Sequence, residues 1–171
     1  AEFMQRAAWN NPGAMAAVLK LSAETVEKIC FNYKNAYAVN YNCKGQTAAA
    51  VSKNELSAFC DEVKKLGGRA VPLAVSGGFH SPFMDEAAEN LYNELQKFKT
   101  NKPNIPIYAN LTAEPYGDDI KATASKQVNH PVYWQKTIEN MIKDGINTFI
   151  EVGPGKTLCG LIRKISPQVR V

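Results

Sequence analysis

The order of short elements between residues 13 and 75 constrains the fold more than any other feature of the sequence. Gly13 to Leu21 reads as a strand rich in Ala, Val and Leu. Ser22 can cap a helix behind it, with Glu24 in the first turn, where a carboxylate complements the helix dipole. Val26, Ile29, Cys30 and Tyr33 then recur at i, i+3, i+4 and i+7, the stripe of a helix buried on one side. A second strand is expected from Ala36 to Cys43, where Tyr37, Val39 and Tyr41 alternate with Ala38, Asn40 and Asn42. Lys44-Gly45 turns the chain into a third strand, Gln46 to Val51. Ser52-Lys53-Asn54-Glu55 has the form of a capping box, and Leu56, Phe59, Cys60, Val63 and Leu66 line one face of the helix it would open. Gly67-Gly68 ends that helix, and Arg69 to Val75 supplies a fourth strand. Strand, helix, strand, strand, helix, strand is the ferredoxin-like pattern.

The flanks read differently. Residues 1–9 look like the end of a helix with no cap in front of it, broken by Asn10-Asn11-Pro12-Gly13. After residue 75, Ser81-Pro82 opens a helix whose apolar face includes Met84, Ala87, Ala88, Leu91, Leu95 and Phe98. Short apolar runs at Ile105–Asn110 and Asn147–Val152 have the character of buried parallel strands, with helices expected near 118–127, 131–144 and 156–165. Two strands cannot close a parallel sheet, so this half is an α/β part expected to be incomplete, its remainder lying on the N-terminal side.

Composition excludes more than it selects. With 45% hydrophobic and 21% charged residues the chain can bury a core. No apolar run approaches the roughly 20 residues of a membrane-spanning helix. Cys30, Cys43, Cys60 and Cys159 have no zinc-ligand spacing and read as reduced thiols of a cytoplasmic protein. The net charge of +4 is spread along the chain, which argues against nucleic acid and suits an acidic or phosphorylated partner.

There are two histidines. His80 follows Gly77-Gly78-Phe79 and precedes Ser81-Pro82, at a strand-to-helix junction, where open α/β sheets place their sites. Glycines free the backbone before it and the proline fixes the helix start behind it, so the imidazole is held rigidly. From these residues alone, a hydrogen-bonded structural histidine and a catalytic base remain equally open. Ala74-Val75-Ser76-Gly77-Gly78 nearly matches the G-x-S-x-G nucleophile elbow, but a base in the same turn would have to fold back on its own strand. Glu151-Val152-Gly153-Pro154-Gly155-Lys156 lacks the phosphate-loop spacing and reads as a tight turn. Asn40, Asn42 and Gln46 cluster amides on one patch, able either to bind a polar ligand or to satisfy neighbouring loops.

Several runs, in order along nearly the whole chain, resemble one family. They are Phe3-Met4-Gln5, Gly13 to Val18, Asn40-Tyr41-Asn42-Cys43-Lys44-Gly45-Gln46, Val71-Pro72-Leu73 to Met84, Gln127, Pro131-Val132-Tyr133-Trp134, and Glu151 to Lys156 through Leu161. Together they are similar to the malonyl-CoA:acyl-carrier-protein transacylases of fatty-acid biosynthesis. That resemblance implies a ferredoxin-like small subdomain, residues 13–75, inserted in a hydrolase-like α/β large subdomain. Residues 1–12 would then be a large-subdomain helix end and linker, and 76–171 the C-terminal part. It implies a malonyl acyltransferase that passes malonyl from malonyl-CoA to an enzyme serine and then to the phosphopantetheine thiol of acyl carrier protein. His80 matches the catalytic base and Gln127 the residue whose backbone carbonyl orients it. Phe79 matches the ring that selects malonyl, and Asn40, Asn42 and Gln46 match positions along the pantetheine side of the cleft. No cofactor, metal, nucleic acid or membrane is expected. The family's nucleophile segment, its oxyanion segment and the carboxylate-binding arginine are not in the sequence, so the chain alone is expected to be inactive and to pair with its own N-terminal part. A fragment of a polyketide-synthase acyltransferase and a non-catalytic carrier-binding module are the alternatives.

Overall fold

The computed structural model describes all 171 residues. Its centre is a four-stranded antiparallel sheet of β1 (Gly13–Leu19), β2 (Ala36–Cys43), β3 (Gln46–Ser52) and β4 (Arg69–Pro72), in the order β2-β3-β1-β4. With α1 (Glu2–Asn10) ahead of it and α2 (Ala23–Phe31) and α3 (Leu56–Lys65) within it, the sheet has the ferredoxin-like connectivity expected. Pro82–Met84 forms one 3-10 turn, followed by α4 (Asp85–Leu95), α5 (Ile120–Lys126), α6 (Trp134–Lys143) and α7 (Thr157–Ile165). The fold class is mixed α/β with a small antiparallel sheet.

Both faces of that sheet are buried, which explains why β3 is apolar without alternation. Ala49 and Val51 point to one core with Ala16 and Val18 of β1, Val26, Ile29 and Cys30 of α2, and Phe59 and Val63 of α3. Ala48 and Ala50 point to the other, against Ala7 and Ala8 of α1, Met15, Val39, Phe83, Met84 and Ala87. The small side chains of β3 let helices approach from both sides.

Local signals were met unevenly. Ser22 caps α2, its Oγ accepting from Thr25 N–H at 3.2 Å. Gly67, at φ +80°, ends α3 in a Schellman turn: Gly68 N–H donates to Val63 C=O and Gly67 N–H to Lys64 C=O, both at 3.0 Å. The capping box at Ser52 does not form. Ser52 completes β3, Glu55 is itself the N-cap without a side-chain bond, and only the Ser52 carbonyl contributes, accepting from Glu55 N–H at 2.9 Å. Sheet pairing won that residue over capping. Two register shifts, between Ala38 and Asn40 and between Tyr41 and Cys43, break the expected alternation of β2.

The strands expected at 105–110 and 147–152 are not ladders either. Tyr108 makes an isolated bridge to Pro115 and Thr148 another to Arg170, while Ile105, Ile150 and Val152 stand exposed. A strand needs a run of neighbours that take its N–H and C=O groups, and each of these finds one short contact only: Ile107 and Ala109 with Tyr116 and Glu114, Asn147 and Phe149 with Arg170. The fourth strand also stops at Pro72 rather than Val75.

Candidate active site

The turn carrying His80 is clamped by close backbone contacts. A Cβ on Gly13, at the start of β1, would lie 2.7 Å from Gly78 N, and one on Gly77 would lie 2.8 Å from Ala8 Cβ. Only glycine lets the turn sit this tightly on α1 and β1. Ser81 then caps the following turn, its Oγ donating to Gly78 C=O at 2.6 Å and accepting from Phe83 N–H. His80 itself has φ +61°, in the left-handed region that a non-glycine residue occupies only when its surroundings hold it there.

What holds it is the segment 127–133. His80 N–H donates to Val128 C=O at 3.1 Å, and the imidazole Nδ1 lies 2.8 Å from Gln127 C=O. A carbonyl can only accept, so Nδ1 carries the proton and the neutral ring keeps its lone pair on Nε2. The same segment then extends the edge of β2: Val132 N–H donates to Val39 C=O at 2.7 Å and Tyr41 N–H to Val132 C=O at 2.9 Å. Tyr133 stacks on Tyr41 at 5.1 Å, and the Tyr41 hydroxyl donates to Glu27 at 2.6 Å. Burial, and then Glu27, raise the Tyr41 phenol well above its ordinary range, so it stays a donor.

These contacts bring His80 together with Asn40 and Asn42 in one cleft of about 340 Å³, completed by Asn110, Val132, Trp134, Leu158 and Leu161. Three carboxamides and an imidazole meet a wall of aliphatic and indole surface. No serine, threonine or cysteine lines the cleft. Ser76 is exposed outside it, and Ser81 is buried and spent on Gly78, so neither has the position of a nucleophile. Gln46 and Phe79 also lie outside the lining. Gln46 Oε1 accepts from Lys164 Nζ of α7 at 3.2 Å, and Phe79 packs partly buried against the core under α1. His130, the other histidine, is turned to Lys126 C=O and Asn129.

Sequence reasoning missed three features. Asn110 sits in an extended loop with no motif to mark it. The Trp134 indole N–H is buried with no acceptor. The glycine turn at 151–155 is more than a tight turn, because the Glu151 carboxylate accepts from Leu158 N–H at 3.2 Å and Cys159 N–H at 2.9 Å, capping α7 from outside the helix. The Cys159 N–H chiefly, with that of Leu158, holds the Glu151 carboxyl below its ordinary range. A lowered folded value means the cap is complete above the ordinary carboxylate range and is lost as pH falls through the lowered value. The Leu158 and Cys159 amide resonances should therefore titrate with the Glu151 carboxyl, below its ordinary range, and stop titrating in Glu151→Gln. A midpoint at or above the ordinary value would show that the cap does not form.

Known proteins match both the sequence and this geometry. The acyl transferase domain family matches residues 2–166. The malonyl CoA-acyl carrier protein transacylase of Bacillus subtilis is 34% identical over 176 residues, and that of Staphylococcus aureus strain MSSA476 is 34% identical over 177 residues; each match takes in 99% of this chain. This chain spans 56% and 58% of their lengths. The crystal structure of the Clostridium perfringens malonyl CoA-acyl carrier protein transacylase superposes with a TM-score of 0.94 at 38% identity, over 99% of this chain and 55% of that one. A malonyl-transacylase in complex with a type II polyketide synthase acyl-carrier protein superposes equally well, at 0.94 and 29% identity, over 99% of this chain and 57% of that one. With the sheet, the histidine turn and nearly every residue matched, this chain belongs to the acyl transferase domain family.

Proposed function

We propose that the protein containing this chain transfers a malonyl group from malonyl-CoA to the phosphopantetheine thiol of acyl carrier protein, through an acyl-serine, in fatty-acid biosynthesis. One observation carries the reading: Nδ1 of His80 is tied to the Gln127 carbonyl, which leaves Nε2 as a base in an amide-lined cleft. In the first half-reaction Nε2 takes the serine proton as the oxygen attacks the thioester, then gives it to the departing CoA thiolate. In the second, it takes the proton of the carrier thiol and returns it to the serine as the malonyl group leaves.

The neutral carbonyl of Gln127 does for His80 what a carboxylate does in a Ser-His-Asp triad: it fixes tautomer and orientation. The serine, the oxyanion donors and the malonyl-binding arginine belong to a part of the protein outside this chain, which docks on the cleft side. Residues 13–75 act as the small subdomain and residues 76–171 as part of the large one, with 1–12 linking them. Asn40 and Asn42 bind the pantetheine arm, Gln46 lies further out along it, and Phe79 restricts the acyl group from beneath the turn. No helix of the chain is long and apolar enough to cross a membrane, and four free cysteines suit the reducing cytoplasm.

Incubating the intact protein with labelled malonyl-CoA should leave label esterified to one serine, discharged on adding holo acyl carrier protein. Carrier binding without any ester would instead make the chain part of a non-catalytic carrier-binding module.

A further inference from the structure

Asn110 is held on both sides of its main chain and used on neither side of its side chain. Its N–H donates to Gln127 Oε1 at 2.7 Å, and its C=O accepts from Tyr133 N–H at 3.0 Å. Gln127 Nε2 donates in turn to the Tyr116 hydroxyl, so the loop carrying Asn110 is fastened at a second point. The carboxamide is half-buried, lines the cleft beside His80, and makes no hydrogen bond within the chain. A carboxamide that lines the cleft and has no partner in the fold is free to exchange its water for a ligand. Its anchor matters as much. Gln127 holds the Asn110 backbone through its side chain and the His80 imidazole through its main chain, so both residues share one anchor.

We propose that Asn110 binds the substrate directly, pairing with the amide nearest the thioester sulfur; this rests on the acyl-transfer reading above. To protonate the departing thiolate, His80 Nε2 must reach the sulfur. In a pantetheine thioester two methylenes separate that sulfur from the first amide nitrogen, so this amide falls close to any group that shares the anchor of His80. A secondary trans amide points its N–H and C=O to opposite sides, so Asn110 meets one of them: its Nδ2–H donates to the substrate carbonyl. Val132, Leu158 and Leu161 supply the apolar wall against which the methylenes lie.

The test uses the intact protein with two small malonyl donors, the N-acetylcysteamine thioester, which carries this amide, and the pentyl thioester, which replaces it with methylenes. The second-order rate constant for forming the malonyl ester is measured for each. Asn110→Ala should lower it about tenfold for the amide donor, the worth of one good hydrogen bond, and leave the pentyl donor unchanged. Asn110→Leu, which keeps the branched shape and the neutral charge but loses the donor, should behave in the same way, so that a misfolded alanine variant does not decide the matter. An equal loss on both donors would mean that Asn110 acts through His80 or through the fold, and no loss on either would mean that it touches nothing; both outcomes overturn the proposal. If the unaltered protein forms no ester from either donor, it is the acyl-transfer reading that fails, and this inference fails with it.

Discussion

Replacing His80 in the intact protein is expected to slow malonyl-ester formation by about 10²- to 10⁴-fold, the usual contribution of a positioned acid–base group. The choice of replacement matters, because φ at this position is +61°. Alanine in the left-handed region is strained, whereas asparagine tolerates it. His80→Asn therefore removes the imidazole with the backbone left in place, and His80→Ala serves as its companion. Both should lose the rate, and the asparagine variant should keep the unfolding midpoint within a fraction of a kcal/mol. A His80→Asn protein that still acylates at the unaltered rate would remove His80 from the chemistry.

The second large effect is on stability. Phe59 is fully buried between α3 and the sheet, and its ring meets Tyr33 edge-on at 5.8 Å. Its neighbours, Val18, Val26, Ile29 and Val63, are themselves fully or almost fully buried and leave little freedom to collapse. Phe59→Ala should cost about 3–5 kcal/mol in urea unfolding, the sum of lost transfer free energy and a residual cavity. A loss below about 1 kcal/mol would show that α2 and α3 close over the gap.

Where the sequence was legible, the signal was local. The stripe of Val26, Ile29 and Cys30, the Ser22 cap and the Gly67-Gly68 stop all formed where their spacing put them, because each depends on residues within one or two turns. The order of strands followed from them. Where it misled, the outcome depended on distant partners. Ser52 could cap α3 or pair with Gly13 across the sheet, and the sheet took it. The apolar runs at 105–110 and 147–152 look like strands by composition, but a ladder needs neighbours that no local pattern specifies.

The candidate site divides along the same line. His80 was visible from its glycines and from the helix start behind it, and its pairing with Gln127 was implied by family resemblance and then seen at 2.8 Å. Asn110 could not be found in this way. It reaches the cleft because Gln127 and Tyr133, 17 and 23 residues further on, hold its backbone there. Glu151 was hidden for a similar reason, since it caps a helix that begins six residues later, beyond the reach of any N-cap pattern.

The two edges of the small sheet are finished in different ways, and this bears on self-association. At β2 the edge is occupied by Val132 of the same chain. At β4 it is four residues long, begins with an exposed Arg69 and ends with Pro72, which has no N–H to offer. The Val132 bridge interrupts one edge and the short, proline-ended β4 blunts the other, so each is a poor template for a strand from another molecule. Amyloid-like pairing between copies of this chain would have to begin instead at the unladdered run around Ile150 and Val152, where apolar side chains and unpaired backbone are exposed together.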